Sequence, residues 1–151
     1  MNAFTSPTAS PDTFSLPSGL RAAAAGMNWS SIIQRFGTST GPIRLGSWTA
    51  SRAQAGRFVY DATFGIGDSI VTASATAYGP MDALTTMLHA SSYRLEILSF
   101  HQQPSARASD GTATFILCEF DGRAEWAMAT DRDSEHSAVR ALITAANKLH
   151  S

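Results

Sequence analysis

Residues 57–83, RFVYDATFGIGDSIVTASATAYGPMDA, decide the fold. Phe58, Tyr60, Ala62 and Phe64 fall on one face of an extended chain, with Val59, Asp61 and Thr63 on the other. The link Gly65-Ile66-Gly67-Asp68 reads as a hairpin turn. Beyond it Val71, Ala73, Ala75 and Ala77 alternate with Ile70, Thr72, Ser74 and Thr76. Period-two alternation of this kind predicts two half-buried antiparallel strands. Gly79 then permits a sharp turn. Pro80 suits the first helical position, where no amide donor is missed. Asp82 lies in the first turn and complements the helix dipole. Leu84, Met87 and Leu88 continue an apolar helical stripe.

Working outward, the same pattern occurs twice. Residues 43–52 read as a weaker strand before this hairpin. Residues 93–101, 112–120 and 123–130 read as three more strands, with Asp121-Gly122 as a hairpin turn. A helix follows, capped by Asp133 or Ser134, with Ala138, Val139, Leu142, Ile143, Ala146 and Leu149 on its buried side. IRLGSW and YRLEIL start matching units, with Arg44 and Arg94 in equivalent places. The repeat, of about fifty residues, predicts an α+β fold of two pseudo-symmetric βββα units. Each unit holds a three-stranded antiparallel sheet and one helix. Alone, a unit leaves its apolar face exposed, so the two are expected to pack together.

Ahead of the repeat, residues 1–19 are rich in Pro, Ser and Thr and are expected to form a flexible tail. Residues 20–40 read as a helical lead-in and connector. The alanine run favours helix. Asn28 can cap a second short helix with Trp29, Ile32, Ile33 and Phe36 on one stripe, and Gly37 can stop it. Residues 41–151 then form the βββα-βββα domain.

The chain has 151 residues, about one domain's worth. Charged residues make up 15%, against roughly 25% in an average soluble protein, and the net charge is −1. No basic block stands out, which argues against nucleic acid and against an anionic membrane surface as partners. No stretch reaches the ~20 apolar residues of a bilayer span. No basic n-region leads into an apolar segment, so a cytoplasmic location is expected. The single Cys118 excludes an intramolecular disulfide and reads as an inert buried thiol. So low a charge implies a surface partly covered by a partner or a second copy.

The strand–turn–helix junction carries a family resemblance. The family pattern G-x-G-P-[VIL]-D-A stands here as Ala77-Tyr78-Gly79-Pro80-Met81-Asp82-Ala83. After one helix comes a strand of the family type, Leu95-Glu96-Ile97-Leu98-Ser99-Phe100-His101. A tryptophan-bearing strand, Glu125-Trp126-Ala127-Met128, leads to a helix ending Leu142-Ile143-Thr144-Ala145-Ala146-Asn147. On these residues Gly41–Asn147 resembles the C-terminal regulatory domain of 2-isopropylmalate synthase, also found in citramalate synthases. The resemblance implies two βββα units, a homodimer, and a small amino-acid effector such as leucine. It also implies a place in leucine biosynthesis or a related pathway.

Two departures bear on the effector. Ala77 replaces the first motif glycine, and Tyr78 replaces a small polar residue. The second helix start, normally glycine-rich, reads Ala129-Thr130-Asp131-Arg132-Asp133. The family's chemistry sits on a metal-dependent barrel with an H-x-H motif. Here His89, His101, His136 and His150 are scattered, and the chain is too short for a barrel of ~200 residues or more. No G-x-S-x-G elbow appears, and Gly65-Ile66-Gly67 precedes a strand rather than a phosphate-binding helix. No catalytic residue, metal or cofactor is therefore expected, and the chain reads as a free-standing regulatory domain acting on a separate synthase subunit.

Candidate effector residues are Tyr78, Gly79, Pro80, Met81 and Asp82, with Ile97 and Phe100 at family pocket positions. At the helix start, free amides and the dipole can receive a carboxylate, while Asp82 can face an ammonium. The same residues also read as a simple Gly-Pro helix start, and Ile97 as core. His101 and Gln103 can bond an effector or lie in an exposed loop. Asp131, Asp133, Glu135 and His136 read as a cation cluster or as a solvated helix start. Trp48 and Trp126 read as packing or interface anchors. A second functional reading is an interaction domain that has lost its ligand, with Tyr78 filling the pocket.

Overall fold

The computed structural model describes residues 16–151. Strands β1 (Ile43–Arg52), β2 (Phe58–Ile66) and β3 (Ser69–Ala77) form one antiparallel sheet in chain order. Helix α3 (Pro80–Ala90) follows. Strands β4 (Glu96–Pro104), β5 (Thr112–Phe120) and β6 (Arg123–Asp131) form the second sheet in the same order, and α4 (Ser134–Leu149) closes the chain. Before them stand α1 (Ser18–Arg21) and α2 (Trp29–Phe36). The α+β architecture of two βββα units behind a helical lead-in is thus observed.

Local chemistry accounts for most boundaries. Asn28 caps α2 by accepting a hydrogen bond from the Ser31 amide at 2.8 Å, and Gly37 ends the helix. Asp121 and Gly122 both adopt positive φ, 54° and 81°, as a two-residue hairpin with matching twist requires. The first hairpin turns one step later than the sequence suggests, at Gly67-Asp68, with Gly67 at φ 59°.

Three expectations need correction. Of the tail expected over residues 1–19, residues 1–15 lie outside the described residues, and residues 16–19 are ordered against the fold. Leu16 is 3% exposed and α1 begins at Ser18, because Leu16 and Leu20 pack into an apolar cluster. The alanine run turns rather than extending α1, and Gly26 takes φ 79°. The repeat also registers differently. Both first strands carry a register shift, between Leu45 and Ser47 in β1 and between Ile97 and Ser99 in β4. Gly46 therefore matches Leu98, and Trp48 matches Phe100. Arg44 and Arg94 are not equivalent: Arg44 sits inside its strand and Arg94 before its own, since β4 starts at Glu96 rather than near residue 93.

One core joins the units. Tyr60, Ala62 and Phe64 of the first sheet, Leu84, Met87 and Leu88 of α3, and Ile116, Cys118, Leu142 and Ala146 of the second unit share a cluster. Burial pushes the Cys118 thiol up to about 12, so it stays protonated and inert. Asn147 of α4 closes the junction to β1. Its Oδ1 accepts from the Ile43 amide and its Nδ2 donates to the Ile43 carbonyl, each at 2.9 Å and buried. The other face of the second sheet is covered by the lead-in. Leu16, Leu20, Trp29, Ile32 and Phe36 bury Ala113, Phe115 and Met128, with Trp126 against them. The first sheet has no such cover among the described residues.

Candidate functional site between two helix starts

A cleft of about 390 Å³ opens between the N-termini of α3 and α4. Gly79, Pro80, Met81 and Asp82 form one wall. Phe100 and Gln102 of β4, with Ser134, Glu135 and Ala138 of α4, form the rest. The two helix starts differ. Gly79 brings no capping side chain to α3, and a Cβ there would meet nothing within 4 Å among the described residues. The first-turn amides thus lack a side-chain acceptor, where the helix dipole favours an anion. At α4, Asp133 accepts from the Glu135 amide at 2.8 Å.

Glu135 is fixed from the other unit. Trp48 Nε1–H of β1 donates to its Oε2 at 2.7 Å, and the indole lies 5.4 Å from the Tyr60 ring. Burial, then the Glu135 carboxylate, raise the Tyr60 phenol above its ordinary value. Gln102 is held too: its Nε2 donates to Thr114 Oγ1 at 2.9 Å and to the Ser134 carbonyl at 2.8 Å. Thr114 in turn meets the buried Ser137 hydroxyl at 2.7 Å.

Of the seven residues singled out in the sequence, the cleft gathers Gly79, Pro80, Met81, Asp82 and Phe100. Ile97 packs against the core. Tyr78 is 70% exposed and does not line the cleft, so it does not fill it. Gln102, Ser134, Glu135 and Ala138 were not among the residues named for the effector. Strand alternation could have found Gln102, because it shares a face with Phe100 while His101 and Gln103 point the other way and bond each other at 2.8 Å. Asp131, at the end of β6, and the titratable side chains that follow it at the start of α4 are each engaged. Asp131 approaches Arg140 at 3.4 Å, Asp133 caps α4, Glu135 holds Trp48 and His136 lies 3.4 Å from Asp133. No three such groups converge as a metal-ligand set among the described residues.

A larger cleft, about 510 Å³, lies between the α2–β1 connector and α4, but it gathers none of the seven. No helix among the described residues is long and apolar enough to cross a membrane.

No protein-family profile matches the chain. A 2-isopropylmalate synthase of Leifsonia xyli subsp. xyli is 25% identical over 109 residues, which are 72% of this chain and 18% of that enzyme. One from Clavibacter sepedonicus is 23% identical over 117 residues, 77% of this chain and 20% of that enzyme. The chain resembles part of 2-isopropylmalate synthase. It spans about a fifth of the length of these curated relatives. A matched stretch of 109 residues is shorter than the ~200 residues or more of a catalytic barrel. The match therefore has the size of an accessory domain of such a synthase.

Proposed function

We propose that this chain is a non-catalytic regulatory domain of the 2-isopropylmalate synthase type that binds a small apolar amino acid between its helix starts. The observation carrying this reading is the pairing of opposites across one cleft. The uncapped start of α3 suits a carboxylate, and the Glu135 carboxylate, held by Trp48, suits an ammonium. Met81, Phe100 and Ala138 supply an apolar seat for a short side chain. Leucine is the effector to try first, given the named relatives, and the setting is cytoplasmic leucine biosynthesis or a related pathway. The mechanism is differential binding: the ligand shifts the population of one arrangement of the two units and so biases an attached or separate synthase.

Calorimetric titration with leucine, isoleucine and valine tests this. Heat of binding and a raised melting temperature are expected for at least one. Gly79→Trp, which has open space for its side chain, should abolish binding while leaving the fold intact. Absence of heat with all three at millimolar concentration rejects the reading.

A further inference from the structure

The two clefts carry opposite charge. The one between the helix starts is lined by two carboxylates, Asp82 and Glu135, and by no cation among the described residues. The larger one, about 510 Å³, is the reverse: among the described residues its lining holds one cation, Arg140, and no carboxylate. That volume suits a small ligand. Its walls come from the lead-in, from β1 of the first unit, and from β6 and α4 of the second. A ligand there would touch all three parts of the fold.

The floor of this cleft is apolar and fixed. Ile43, Met128 and Ile143 are buried in the two cores, and Ile33 and Leu45 flank them. The polar lining has donors to spare. Arg140 spends only Nη1, which donates to the Thr130 carbonyl at 2.9 Å and to the Asp131 carboxylate at 3.4 Å. Its Nε–H and Nη2–H have no partner among the described residues. Together they form the planar fork that meets a carboxylate with two parallel bonds. The hydroxyls of Ser39 and Thr130 are likewise unengaged among the described residues. Carbonyls at the end of α2, which would repel an anion, are already occupied. The Gly37 amide donates to Ile33 at 2.8 Å and the Thr38 hydroxyl to Gln34 at 2.6 Å. Asn147 is spent on Ile43.

We propose that this cleft is a second ligand site, for a small monocarboxylate with a short apolar body and no amine. The Arg140 fork and the Thr130 hydroxyl take the carboxylate, and the apolar body lies over Met128, Ile143 and Ile43. One cation matches one negative charge, so a monocarboxylate fits better than a doubly charged phosphate. An ammonium would find no carboxylate in this lining and would stand beside a guanidinium of like charge. Helix α4 serves both clefts, its first turn walling one and Arg140, Ile143 and Thr144 the other. The domain can therefore tell acids that carry an amine from acids that do not. The inference does not rest on the amino-acid reading of the first cleft.

Two fragments of leucine test it on the full chain: isocaproate, which lacks the amine, and isoamylamine, which lacks the carboxylate. Both are titrated into the wild type and into Gly79→Trp, in which the first cleft is closed. Millimolar isocaproate should shift the amide NMR signals of Ser39, Thr130 and Arg140 in both proteins, and isoamylamine should not. Arg140→Gln should weaken isocaproate at least about tenfold, the loss expected for a charge-assisted fork. Arg35→Gln removes an exposed cation outside the lining and should leave the affinity unchanged. If Arg140→Gln fails to fold, Arg140→Lys decides: it keeps a cation, loses the fork, and should still weaken binding several-fold. If Gly79→Trp fails to fold, the position of the shifts in the wild type decides. Absence of shifts at Ser39, Thr130 and Arg140 overturns the inference. So does isocaproate affinity that survives loss of the fork, or equal binding of isoamylamine at these residues. Leucine can fail in the first cleft while isocaproate binds the second, and the reverse, so the two readings fail separately.

Discussion

The starts of α3 and α4 occupy equivalent places in the repeat and are finished in opposite ways. At α4, Asp133 caps the helix, and Trp48, 7% exposed, reaches across from the first unit to hold Glu135. At α3, Gly79 leaves the helix uncapped, and Phe100, in the place matching Trp48, stands 45% exposed over a cleft. Each unit's first strand thus attends the other unit's helix start. The contrast teaches that a duplicated module can divide its labour. One junction is filled and holds the units together; the other is left open as a cleft.

The largest effect should separate the two aromatics. Trp48→Ala should cost about 3–5 kcal/mol in denaturant unfolding, as for other buried aromatics in cores. Phe100→Ala should cost less than ~1 kcal/mol, as expected for an exposed side chain, yet weaken the ligand. Equal costs would break the comparison. Next comes the cap: Asp133→Ala should lose about 1 kcal/mol, because the Glu135 amide loses its acceptor. Gly79→Asp should gain only a few tenths of a kcal/mol by capping α3. If the open amides receive a carboxylate, this variant should also bind the amino acid less tightly, read by calorimetry.

The smallest effect is spectroscopic. The Tyr60 phenol is raised above 10.0 in the folded protein, so its contribution to stability is present below pH 10 and fades as pH climbs through the raised value. Glu135→Gln removes the carboxylate part of that shift. Tyrosinate absorbance should then appear at lower pH than in the wild type.

Much of the fold was legible because alternation and helical stripes are local signals. The hairpin of β2 and β3, the Asp121-Gly122 turn and the Pro80 helix start lie close to where their residues put them. The bulges were not legible. Gly46 and Leu98 share no chemistry, and an irregularity is set by the strand opposite. The matching letters of Arg44 and Arg94 therefore pointed to a shifted alignment. Half of the cleft was legible from the Gly-Pro motif and Phe100. Glu135 was missed as a wall of the same cleft because its partner Trp48 lies 87 residues away, a separation no local pattern reports.

The Asn147 clasp on Ile43 spans 104 residues and fastens the beginning of the first unit to the last helix of the second. The repeat is therefore closed as a ring, tied by a side chain at one junction and by the covalent chain at Ser91–Leu95 at the other. Cutting that covalent link should leave two pieces that find and hold each other, while either piece by itself would expose half of the shared core. Fragment complementation, rather than independent folding of each unit, is the behaviour this clasp builds into the molecule.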